Sequence, residues 1–185
     1  MIQALVAGYA VILAIGCAPP RSASISQKSG YAPPLPQGQI STIVSMDTSS
    51  AYSSECRDFS GDGKEKLRED TCKMVNQTRS QYSTTLLILD ARLSAVAQAR
   101  AQDMATKNYF SHTAPDGTTY LEVMLANGLD AGLSGENIAQ APGEASLAMG
   151  AWLKSPGHLS NIVKSGYRRL GVGFSGGYWV QVFAD

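Results

Sequence analysis

The C-terminal segment constrains the fold of this chain most. Leu170, Val172 and Phe174 alternate up to Ser175-Gly176-Gly177, and Tyr178, Val180 and Val182 alternate after it, with Trp179 and Phe183 on the other face. Two alternating runs around a glycine pair predict a β-hairpin. Both faces carry bulk, so a half-solvated meander would leave large side chains in water. The pattern predicts a sheet covered by helices on both sides.

Helical periodicity supplies the covers. From about Leu67, the residues Met74, Val75, Thr78 and Tyr82 recur at spacings of three and four, ahead of a strand-like Leu86-Leu87-Ile88-Leu89. Asp90 is a natural N-cap for a helix over Ala91 to Lys107. Leu93, Val96, Ala97, Ala101 and Met104 form its apolar stripe, while Arg92, Gln98, Gln102 and Lys107 face out. Thr119 with Glu122 three residues on is a capping box, and that helix should stop at Asn127-Gly128. A fourth helix covers Glu144 to Leu153. Ser155-Pro156 opens a fifth, with Ser as N-cap and Pro at the first position, where a missing N–H costs nothing. His158 then lies in a first helical turn, whose partial positive charge disfavours imidazolium and predicts a neutral ring.

The N-terminal part has a different character. Ile2 to Gly16 is uncharged and nearly all apolar, too short to span a bilayer but suited to the core of a secretory signal, so residues 1–16 are read as a signal peptide. Ala14-Ile15-Gly16-Cys17 resembles a bacterial lipobox, which makes Cys17 a candidate lipidated residue and the membrane a partner. Residues 17–54, rich in Ser, Pro, Gly and Gln apart from a short Gln39 to Met46 stretch, read as a tether. Residues 55–69 form a lead-in and 70–185 the folded domain. With Cys17 assigned to lipid, Cys56 and Cys72 remain as a pair, and in an exported chain a disulfide follows. Localisation is then the cell envelope, or otherwise the periplasm or exterior. Asp58, Ser60, Asp62, Gly63 and Glu69 match positions of a calcium loop, but Glu65 stands where an apolar residue belongs and Lys66 beside the ligand sphere. A glycine-rich turn is the simpler reading. Fifteen acids balance fifteen bases, which removes the field that attracts nucleic acid.

Chemistry-bearing residues concentrate in Phe110-Ser111-His112, Gly135-Glu136-Asn137 and Ser155-Pro156-Gly157-His158-Leu159-Ser160-Asn161-Ile162, which hold the only two histidines of the chain. These blocks, with Val75-Asn76-Gln77-Thr78-Arg79, Gly171-Val172-Gly173 and Tyr178-Trp179-Val180-Gln181-Val182-Phe183, occur in the order found in the CAP superfamily, and the chain resembles a bacterial SCP-like extracellular protein. The resemblance implies an α+β fold, a three-layer α-β-α sandwich with a large cleft. In that family two His and two Glu face the cleft. The matching positions are His112, Glu136 and His158, the candidate catalytic residues, while the second Glu is replaced by Leu147, with Glu144 the nearest acid. Two His and one carboxylate also match the ligand types of an open zinc site; a buried polar cluster that shapes the cleft is the alternative. Three functions stay open. The chain is a tethered module binding a protein, glycan or lipid, or a zinc-dependent hydrolase of peptide or cell-wall material, or a carrier of small apolar molecules.

Overall fold

A computed structural model describes residues 35–45 and 52–185. The signal, Cys17 and most of the tether lie outside the described residues. At the centre is the expected hairpin, β3 (Arg169–Ser175) and β4 (Tyr178–Ala184), in a register that opposes Ser175 to Tyr178 and Arg169 to Ala184. Gly176 and Gly177 turn it with φ of 55° and 88°, left-handed at both positions as a two-residue primed turn requires. β1 (Ile88–Leu89) pairs parallel with β3, and β2 (Ser134–Gln140) antiparallel with β4, giving the order β1-β3-β4-β2.

Helices cover both faces, as the bulk on both sides of the hairpin demanded. Leu170, Val172, Trp179 and Phe183 pack with α2 (Glu65–Gln81), α5 (Ala145–Lys154) and α6 (Pro156–Ile162). Tyr178, Val180, Val182 and Ala184 face α3 (Ala91–Lys107) and α4 (Tyr120–Ala126). The result is an α+β, three-layer α-β-α sandwich. On β3, Gly171 and Gly173 let the α3 backbone rest directly on the strand: a Cβ at either position would collide with the carbonyl of Leu93 or of Ala97.

Two stretches depart from the sequence expectation. Gln37–Ser45, inside the predicted tether, is helix α1, and it packs against α5 and α2 through buried Ile40 and Ile43. Spaced three apart, these isoleucines form one apolar edge that the domain buries. Gly135-Glu136-Asn137, for which the sequence predicts no regular element, is part of strand β2.

The lead-in is stapled by the Cys56–Cys72 disulfide, as expected, and its last residues from Glu65 already belong to α2. Beside the staple, Arg68 sits where a calcium loop would hold its ion. Its guanidinium donates to Asp58 Oδ2 at 2.8 Å, Ser60 Oγ at 2.9 Å and Asp62 Oδ1 at 2.8 Å, while its Nε reaches Val172 O at 3.0 Å. The Arg68 hydrogen bond comes first among the causes that hold the Asp62 carboxyl well below the usual carboxylate range. The simpler turn reading was thus nearer, with an arginine as its hub.

Side chains also finish the outer edge of β3. Where β1 ends, Val172 N–H donates to Ser94 Oγ at 3.3 Å, and the Gln98 amide both accepts from Phe174 N, at 3.2 Å, and donates to its oxygen, at 3.1 Å. On α2, Asn76 does likewise for one residue at the end of the 82–87 connection, donating to Leu87 O at 2.9 Å and accepting from Leu87 N at 2.8 Å. One turn on, fully buried Arg79 donates to the carbonyls of Thr85, Ile162 and Lys164, and burial lowers its pKa to about 10.

Candidate functional site

Three elements meet at the free edge of β2. Because successive side chains of a strand point to opposite faces, Glu136 reaches toward α3 while Asn137 reaches toward α6. Asn137 Nδ2 donates to Gln181 Oε1 at 3.0 Å and to His158 O at 3.2 Å, and Asn161 Nδ2 donates to Asn137 Oδ1 at 2.9 Å and to Glu136 O at 3.3 Å. This amide ladder ties α6 to the strand edge. It gives Asn137 and Asn161 a positioning role. The expected Ser155 cap is absent: Ser155 takes the N-cap position with Pro156 next, but its side chain makes no capping bond.

On the α3 side, Glu136 and Arg100 form an ion pair, Nε to Oε1 at 3.1 Å, with both side chains 1% exposed. The other Glu136 oxygen, Oε2, lies 2.7 Å from His112 Nδ1. A carboxylate accepts, so Nδ1 carries the hydrogen, and Nε2 is the ring nitrogen turned away from Glu136, with a lone pair whenever the ring is neutral. His112 is 56% exposed and so presents that ring to solvent. Arg100 also donates to Tyr109 Oη at 2.8 Å and to Ser111 O at 2.9 Å, and Tyr109 in turn donates to Asp103 at 2.5 Å. Burial works against the Arg100 charge, but Glu136 and Tyr109 together offset it and the pKa is raised.

His158 is half-buried. Burial first, and the nearby charge of His112 second, lower its pKa, in agreement with the neutral ring expected from sequence although the principal cause is desolvation. Its Nδ1 is buried without a hydrogen-bond partner.

The structure therefore joins His112 directly to Glu136, while His158 is tied to the same strand through its carbonyl, which accepts from Asn137. It does not bring in a second acid. Leu147 is 47% exposed on α5, and Glu144 is the exposed N-cap of that helix, with no side-chain hydrogen bond to the three site residues. The predicted zinc set does not fit these contacts. Each Glu136 oxygen already accepts a hydrogen bond, one of them from a guanidinium whose positive charge would stand beside the ion, and without that carboxylate two imidazoles remain where catalytic zinc sites use three protein ligands. Among the described residues no group of three or more His, Cys, Asp or Glu converges as a metal site.

Arg100 was missed in the sequence. Its signal was its position: it falls on the apolar stripe of α3, between Ala97 and Ala101, where a charge survives burial only with a partner.

Comparison with known proteins identifies the family of this fold. Residues 72–183 match the CAP family, described as the cysteine-rich secretory protein family. The Bacillus subtilis protein YkwD, itself uncharacterised, is 34% identical over 113 residues, which cover 60% of this chain and 44% of YkwD. An extracellular protein containing an SCP domain from Bacillus anthracis superposes with a TM-score of 0.60 at 31% identity, over 62% of this chain and 39% of that one. The chain thus spans less than half the length of either relative. An outer surface protein of Borrelia burgdorferi shares the fold alone, with a TM-score of 0.59 at 20% identity, over 65% of this chain and 92% of its own. With the family match extending over more than half of its residues, this chain belongs to the CAP family.

Proposed function

We propose that the protein is an exported, envelope-tethered CAP module that binds a protein, glycan or lipid in a cleft at the edge of β2, through His112 and His158. The observation that carries this reading is the division of labour at the site. Glu136 and Arg100 are buried and engaged with one another, whereas His112 offers an exposed ring nitrogen. Such a cluster can donate to or accept from a ligand, but it lacks the second acid that paired acid–base chemistry requires. Binding is favoured over turnover.

Export is supported by the disulfide, which belongs to oxidising compartments, and by the extracellular and outer-surface descriptions of the Bacillus anthracis and Borrelia proteins. Cys17 would carry the lipid. Intact mass of the membrane-extracted chain tests this: a mature form beginning elsewhere, or lacking acyl mass, refutes the anchor.

The ligand is tested by nuclear magnetic resonance titration of the full chain with soluble peptidoglycan fragments, short peptides and short-chain phospholipid. One class should shift the ring signals of both histidines, and His112→Ala should weaken that binding at least about tenfold, the loss of one good hydrogen bond to a charged or strongly polar partner. Unmoved ring signals with all three classes would remove the proposal.

A further inference from the structure

The cation at this site is part of the polypeptide. Arg100 spreads its donors over three components of the site: the Glu136 carboxylate through Nε at 3.1 Å, the Tyr109 hydroxyl at 2.8 Å, and the Ser111 carbonyl in the segment that carries His112 at 2.9 Å. The first is a contact a divalent ion at this carboxylate would have to disturb, and the other two hold the guanidinium in place. Such an ion would need a Glu136 lone pair, and it would stand next to a guanidinium that has no neutral form near physiological pH. The His112 ring, with Nδ1 on Glu136, already has the orientation that a carboxylate imposes on a metal-binding imidazole from outside the ligand shell. Among the described residues no third His, Cys, Asp or Glu converges with them.

We propose that Arg100 is the resident cation of the site: its guanidinium occupies the charge position against Glu136, fixes the orientation of His112, and excludes divalent metal from the histidine pair. Arg100 is then a positioning residue, since its side chain is buried and does not itself reach a ligand. The inference is independent of what the cleft binds.

The test is metal retention by the full chain, read from the visible spectrum of added Co(II) and from zinc content after dialysis. The parent should retain neither ion. Arg100→Met removes the charge at similar length and should go from no metal to one equivalent, lost again when His112→Ala is added. Arg100→Lys keeps a cation and should retain no metal. If the Met variant does not fold by circular dichroism, Arg100→Gln, which keeps donors for Tyr109 and Ser111, takes its place. Stoichiometric metal in the parent that disappears with His112→Ala would overturn the proposal. So would a folded, uncharged Arg100 variant that remains metal-free.

Discussion

Gly171→Ala is the sharpest test of how α3 is held. An added Cβ would lie 2.5 Å from Ser94 N and closer still to the Leu93 carbonyl, in a place where carbon atoms rest about 3.5–4.0 Å from their neighbours. The obstacle is the backbone of a 17-residue helix and cannot rotate away. The helix must retreat by about 1 Å, a gap that forfeits a quarter to a half of each contact's attraction. The residues losing contact are Leu93, Val96, Ala97, Ala101 and Met104, all fully buried. Overpacking commonly costs about 1–3 kcal/mol, and with the Ser94 and Gln98 hydrogen bonds to β3 also stretched, about 3 kcal/mol or more is expected. The assay is urea unfolding followed by the fluorescence of Trp152 and Trp179, both fully buried. Gly150→Ala is the control: it lies within α5 with nothing within 4 Å of the added Cβ, and should stabilise by about 0.5–1 kcal/mol. A Gly171→Ala loss below about 1 kcal/mol would refute the direct seating of helix on strand.

Other perturbations reach the remaining supports. Replacing Cys56 and Cys72 together by Ser should lower unfolding free energy by about 3 kcal/mol through the loop the staple closes, and dithiothreitol should do the same to the parent; no change with either would mean the lead-in is held without it. Asn76→Ala leaves both backbone polar groups of buried Leu87 unpaired and should cost about 2–4 kcal/mol in the same assay, with a loss under about 1 kcal/mol ruling out that role. Because Asp62 has a depressed folded pKa, its contribution is present above the unfolded value of about 3.9 and is lost as pH falls through the lower folded value. Arg68→Met should therefore flatten the decline of stability below about pH 4, and an unchanged acid profile would mean that the ion pair does not contribute to it.

What was legible in the sequence was what depends on near neighbours. Helix α3 announced itself through Asp90, whose side chain accepts from the N–H groups of Arg92 and Leu93, and through its apolar stripe; α4 did so through a capping box that the structure completes. The two histidines and Glu136 were identifiable by type. Strand β2 was not identifiable, because polar residues are poor strand formers and Glu136 and Asn137 are tolerated only through partners far away in the chain, Arg100, Gln181 and Asn161. Nor did any local signal show that α1 would find α5, since two isoleucines make too short a pattern. The charge balance of the site hinged on Arg100, whose meaning depends on what faces it across the sheet.

The finished outer edge of β3 has a consequence for the company this domain can keep. A strand end with open N–H and C=O groups is a template on which another chain can add. Here such an addition at Val172 and Phe174 would have to evict the Gln98 amide and the Nε–H of a guanidinium knotted to two aspartates, and then leave that buried donor without its carbonyl. Growth of the sheet in that direction is blocked by covalently attached competitors that never diffuse away. Molecules crowded side by side can therefore touch along this edge without exchanging strands.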